Sequence, residues 1–264
     1  MTEVRELPNR VRSVLQGGGA APHLVPYLMA GFPKLADTVG LLLAAEAAGA
    51  TLVELGIPYS DPLADGPTIQ AAGQRALAQG MTVRLALEQV AEARAAGLQI
   101  PLVVMTYLNP VLRMGLMEFA ERAARSGVDG LLLPDLPLEE MAELSSPAAE
   151  FGLALNTMVA PTTPDQRIVR AAQVSTGFLY CVSRTGVTGS ESGGGGEATS
   201  LLTRSRALTP IPLALGFGVR RRQQIQELAG LADAVVVGSL LLEVADAAPD
   251  PAVAIFEAVS ALAA

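Results

Sequence analysis

The sequence predicts an α/β fold, a single (β/α)8 barrel with extra helices spanning residues 1–264. Three observations carry this. Apolar runs rich in β-branched residues recur eight times, segments of helical periodicity lie between them, and 264 residues is the size of one such barrel. Runs that are apolar on both faces belong to a parallel sheet covered by helices. The alternative is an open doubly wound sheet, which needs a glycine-rich turn after the first strand. Ala30-Gly31-Phe32-Pro33 provides none.

Taken in order, the predicted strands are His23–Ala30, Thr51–Ile57, Leu102–Leu108, Gly130–Pro134, Leu153–Val159, Gly177–Val182, Pro212–Phe217 and Ala234–Leu240. The gap between the second and third is about twice the others, so it is read as a long loop, Tyr59–Pro67, and two helices. Thr82–Ala96 sets Val83, Ala86, Val90 and Ala93 on one face and stops at Gly97. Thr163-Pro164-Asp165-Gln166 predicts a helix capped by Thr163, with proline in the first helical position. Asp250-Pro251 opens a last helix over Ala252–Leu262 in the same way. No linker or composition shift divides the chain.

Composition removes several function classes. Acidic residues outnumber basic ones, 26 to 18, for a net charge of −8. Phosphate backbones demand a basic face, so nucleic acid is not the expected partner. One cysteine, Cys181, and one histidine, His23, leave no disulfide framework and no Cys/His-rich metal centre. The N-terminal stretch lacks an uninterrupted apolar core, and the longest run of apolar and small residues, Ala234–Leu242, is too short to span a bilayer. A cytoplasmic location without membrane partners is expected.

Active sites of such barrels lie at the C-terminal ends of the strands. Glu54 stands there within Thr51–Ile57, and alternation turns Leu52, Glu54 and Gly56 away from the helix-facing Val53, Leu55 and Ile57. A carboxylate inside the mouth is desolvated, its pKa rises, and it becomes an acid or base near neutrality. A structural ion pair is the other reading, but no predicted strand contains Lys or Arg to pair with it. The following loop adds Asp61 and Asp65 between prolines. Such pairs often only shape turns, yet a stiff loop also suits a second carboxylate placed over the mouth. Strand seven ends Leu215-Gly216-Phe217-Gly218, and strand eight ends Val237-Gly238-Ser239, where a helix opens. Backbone N–H groups there suit a phosphate. Ser183–Gly196 is long, polar and glycine-rich, and reads equally as a lid or as a surface insertion. Arg220-Arg221-Arg222 reads as a solvated helix face, His23 lies at the wrong end of the barrel for catalysis, and Cys181 is a small core residue.

The run Glu54-Leu55-Gly56-Ile57-Pro58-Tyr59-Ser60-Asp61-Pro62-Leu63-Ala64-Asp65-Gly66-Pro67-Thr68-Ile69-Gln70 resembles the signature of the tryptophan synthase alpha chain family. Pro134-Asp135-Leu136-Pro137, Tyr180, Ser183 to Gly189, Gly216-Phe217-Gly218 and Val237-Gly238-Ser239 follow in family order, so the resemblance covers nearly the whole chain. It implies cleavage of indole-3-glycerol phosphate to indole and glyceraldehyde 3-phosphate, without metal or cofactor. By motif it makes Glu54 the acid/base and Asp65 its partner, with Tyr27 and Tyr180 in the substrate pocket. Thr188, Gly189, Phe217, Gly218, Gly238 and Ser239 would surround the rest of the substrate and its phosphate. It also implies a pyridoxal-phosphate beta chain in an αββα complex, met by Asp61, Asn109, Asp135 and Pro137. Two positions depart from many relatives, Phe32 in place of Asp and Gly73 in place of Asn, and both bear on partner contacts near the mouth. An isomerase acting on another sugar phosphate and a subunit that mainly activates a partner are the competing expectations.

Overall fold

The computed structural model describes residues 9–16, 21–182, 194–216 and 218–263. Eight strands close a barrel in chain order: β1 (His23–Met29), β2 (Val53–Gly56), β3 (Leu102–Met105), β4 (Gly130–Leu132), β5 (Ala154–Val159), β6 (Leu179–Val182), β7 (Leu213–Gly216) and β8 (Ala234–Val237). Each is parallel to its neighbours, and β8 pairs back onto β1. All eight predicted strands are present, each of them shorter than its apolar run. The third run is the clearest case. Its last residue, Leu108, instead begins helix α5 (Leu108–Met114), with Tyr107 extended just before it and Pro110 tolerated in the helix's first turn.

The remaining helices are α1 (Arg10–Gln16), α2 (Asp37–Ala47), α3 (Pro67–Ala78), α4 (Val83–Ala95), α6 (Leu116–Ser126), α7 (Met141–Glu150), α8 (Asp165–Val174), α9 (Gly194–Leu208), α10 (Arg222–Gln226), α11 (Ser239–Ala247) and α12 (Pro251–Ala263), with α5 closing at Met114. The pair α3 and α4 fills the long gap between β2 and β3. Thr82 caps α4 by accepting from Leu85 N at 3.2 Å, and Gly97 follows the helix at φ +113°. Asp250 accepts from Ala252 N and Val253 N at the start of α12.

The start of α8 differs from expectation. Pro164 is extended, at φ −63° and ψ 151°, so helical geometry begins at Asp165. The Thr163 hydroxyl accepts from Ala160 N at 2.9 Å, closing the preceding turn rather than capping the helix. The glycine run also ends differently, since Gly194–Gly196 form the first turn of α9. The lid expected over Arg184–Gly196 otherwise lies outside the described residues.

Register decides what faces inward. Tyr27 pairs with Glu54, Glu54 with Val103, and Met158 with Tyr180, and residues level on adjacent parallel strands share a face. Lower in the barrel, Asn156 joins β4 to the start of β6, donating to Leu131 O at 3.0 Å and accepting from Phe178 N at 2.9 Å. At the N-terminal end Arg10 of α1 and Arg94 of α4 both reach Asp129, each at 2.7 Å. His23 Nδ1 lies 3.0 Å from Thr51 Oγ1 at that same end, and burial lowers its pKa. Cys181 is buried and its thiol is pushed up to about 12, chiefly by burial, so it is an inert core residue. Among the described residues no helix is long and apolar enough to cross a membrane.

Candidate active site

Glu54 enters the barrel because β2 alternates. Val53 and Leu55 go to the helix layer, leaving Glu54 on the inner face between Tyr27 and Val103. It is 0% exposed, and neither carboxyl oxygen has a hydrogen-bond partner among the described residues. An ionised carboxylate without partners in such a place is costly, so the proton stays on. Burial, and secondly the charge of Asp65, push its pKa up to about 8.

Asp65 reaches the same cavity from the loop after β2. That loop is held by its own backbone, Asp65 N donating to Pro62 O at 3.1 Å, and by Gln70 Nε2 donating to Asp65 O at 2.9 Å. One carboxyl oxygen, Oδ1, is buried without a partner among the described residues. Burial raises the Asp65 pKa to about 6, and the Tyr107 hydroxyl works against that rise. The two acids therefore separate, with Glu54 mainly protonated and Asp65 mainly ionised at neutral pH. Divergent environments for paired carboxyl groups mark an acid and a charge stabiliser.

Two tyrosines line the mouth, and each needs a glycine beside it. A Cβ on Gly56 would lie 2.1 Å from Tyr27 Oη, and one on Gly216 would lie 2.3 Å from Tyr180 Cε1. Each ring thus lies across a neighbouring strand where only glycine leaves room. Tyr27 and Tyr180 are buried, and burial raises both pKa values well above 10, with Asp65 and Glu54 adding to the rise. Both phenols stay protonated in the working range.

On the far side, a side chain at Gly238 would meet the Tyr27 ring at 3.1 Å. Helix α11 starts at the next residue, Ser239, and its first internal bond runs from Leu242 N to Gly238 O. The N–H groups of the first turn therefore have no partner within the helix and lie beside the mouth. Gly218 is exposed in the loop after β7. Thr188, Gly189 and Phe217 lie outside the described residues. Arg220, Arg221 and Arg222 are exposed as expected, but only Arg222 lies in a helix, α10, and Arg220 is engaged by Glu243 at 2.6 Å.

The residues expected to meet a partner share this end of the barrel. Asp61, Asn109, Asp135 and Pro137 are all exposed, Asn109 in the first turn of α5 and the others in the loops after β2 and β4. The two departures do not join them. Phe32 is buried with the Arg75 guanidinium 4.7 Å from its ring centroid, and Gly73 is buried inside α3. Neither presents a side chain outward. Sequence reasoning missed Tyr107, a buried aromatic whose hydroxyl meets the Asp65 loop. Alternation signalled it, since Val103, Met105 and Tyr107 continue the inward face of β3 into its loop.

Known proteins similar to the chain fall in one family. The family model described as tryptophan synthase alpha chain matches residues 18–262. A tryptophan synthase alpha chain of Carboxydothermus hydrogenoformans is 48% identical over 221 residues, covering 84% of this chain and 82% of that one. One of Methanosarcina acetivorans is 49% identical over 223 residues, covering 84% and 80%. Among solved structures, the tryptophan synthase A-subunit of Pyrococcus furiosus superposes with a TM-score of 0.86 at 38% identity, over 92% of this chain and 98% of that chain. An aminoacrylate-bound tryptophan synthase of M. tuberculosis gives 0.86 at 34% identity, over 96% and 98%.

Proposed function

Because the chain belongs to the tryptophan synthase alpha chain family, we propose that Glu54 and Asp65 carry that family's lyase reaction. The reaction is retro-aldol cleavage of indole-3-glycerol phosphate to indole and glyceraldehyde 3-phosphate. The observation that carries the assignment is the buried carboxyl group of Glu54 inside the mouth, without a hydrogen-bond partner among the described residues and with Asp65 in electrostatic reach.

The steps balance with one carboxyl group shuttling a proton. Protonated Glu54 gives its proton to indole C3, which makes the ring an indolenine cation. Asp65, ionised and facing the ring N–H, stabilises the positive charge as it develops. The Glu54 carboxylate left behind then takes the proton of the hydroxyl on the carbon attached to C3. That carbon becomes the aldehyde, the C–C bond breaks, and its electron pair restores the indole ring. Glu54 ends protonated, ready for the next turnover. Tyr27 and Tyr180 line the ring pocket. Gly218, Gly238 and Ser239 surround the rest of the substrate and its phosphate, and the family motif assigns Thr188, Gly189 and Phe217, outside the described residues, to the same role. Binding energy from that remote group holds the reacting carbon in place.

A tryptophan synthase beta chain meeting the rim at Asp61, Asn109, Asp135 and Pro137 in an αββα assembly in the cytoplasm completes the proposal. These positions support it because all four are exposed on the same end as the mouth. The test is indole release by the purified chain, first alone and then with an added beta chain. Indole should appear from indole-3-glycerol phosphate and turnover should rise when the second chain is present. Conversion of an indole-free sugar phosphate in its place would support the isomerase reading instead.

A further inference from the structure

Asp65 is only half buried and sits on a loop, yet its carboxylate has to meet one ring nitrogen. Something must hold it. Ala64 N, one residue before it, donates to Tyr107 Oη at 3.1 Å. That bond occupies an acceptor site of the phenol and leaves its proton for another group. The phenol opposes the burial-driven rise of the Asp65 pKa, so its proton is available to that carboxylate. Tyr107 is itself held from outside. Its ring lies against Tyr59, with centroids 5.3 Å apart and planes at 31°. Tyr59 Oη accepts from Asn109 Nδ2 at 2.8 Å, and Leu108 N, next to Asn109, donates to Asp135 Oδ1 at 2.9 Å. The loops after β2, β3 and β4 are thereby braced to one another.

We propose that Tyr107 is a positioning residue for Asp65, gripping its loop and its carboxylate together, and that Tyr59 and Asn109 extend this hold to the outer rim. The proposal rests on reading Asp65 as the group facing the ring nitrogen. Asn109 is exposed on the rim assigned above to a second chain, so a change at that surface reaches Asp65 without touching substrate. The groups facing Asp65 are Glu54 of β2, Tyr27 of β1, Tyr180 of β6 and Tyr107 itself, with Asp135 acting on Tyr107 in turn.

The test is the pH profile of kcat/KM for indole release by the isolated chain. Tyr107→Phe keeps the ring and removes the hydroxyl. The carboxylate then loses the donor that favours its ionised form, so the acid limb should move up by about one pH unit. Tyr59→Phe and Asn109→Ala each break the same outer bond. Each should move the limb in the same direction by less, and the double variant should match either single one. These two variants keep the test open if Tyr107→Phe does not fold. Folded variants with an unmoved acid limb, or with equal loss at every pH, would overturn the proposal, because a merely structural role lowers activity uniformly. Glu54→Gln in the same assay separates the two levels. If it is inactive while Tyr107→Phe is unshifted, only this inference fails; if it is active, the underlying reading fails.

Discussion

Glu54→Gln should lower indole release by about 10²–10⁴-fold, the usual range for loss of a general acid–base group, while making the folded chain more stable. The two effects have one cause. The glutamine amide is close in shape to the acid but neutral at every pH, so it transfers no proton and carries no desolvated charge. Linkage fixes the sign. A carboxyl group whose pKa goes from 4.5 to about 8 on folding binds more protons folded than unfolded between those values. Stability therefore falls as pH rises through that window, by an amount on the order of a few kcal/mol. The gain in Tm of the glutamine variant should be small near pH 5 and large near pH 8. Thermal melts at both pH values, beside a steady-state indole assay, check this. An active variant, or one less stable at pH 8, contradicts the assignment.

Asp65→Asn should cost cleavage about 10²–10³-fold, comparable with removing one preorganised electrostatic stabiliser. The amide oxygen can still accept from the ring N–H, so binding should suffer less than turnover. The missing charge is felt as the indolenine cation forms. Glu54 responds as well. The Asp65 charge is one cause of its raised pKa, so without that charge the Glu54 pKa should drop from about 8. In the wild type, kcat/KM requires ionised Asp65 and protonated Glu54, which gives a bell with limbs near 6 and 8 that belong to the coupled pair. The asparagine variant should lose the acid limb, and its alkaline limb should move to lower pH. An unmoved alkaline limb would mean that the two acids do not share a cavity.

The barrel was legible in the sequence because its strands are fully buried runs and its helices carry their own stop signals. Thr82 and Asp250 act at their helix starts as their types dictate. Thr163 does not, because the extended Pro164 delays the helix and a nearer donor, Ala160 N, takes its hydroxyl. Glu54 could be found because a charge inside an apolar alternation has no bland explanation once basic neighbours are absent. Tyr107 escaped notice because a tyrosine ending an apolar run looks like core, and its contact with the Asp65 loop joins positions far apart in sequence. Phe32 lies near the mouth, yet its side chain is not part of the rim. Arg75 covers its ring, and sequence gives no sign of that contact.

Everything in the mechanism depends on Glu54 holding its proton at neutral pH. Infrared difference spectra of the wild type against Glu54→Gln, recorded across a pH titration, read that proton directly through the carboxylic acid C=O stretch. The band assigned to Glu54 should persist through pH 7 and disappear around pH 8. A band already lost by pH 5–6 would show an ordinary, solvated carboxylate and would contradict the account.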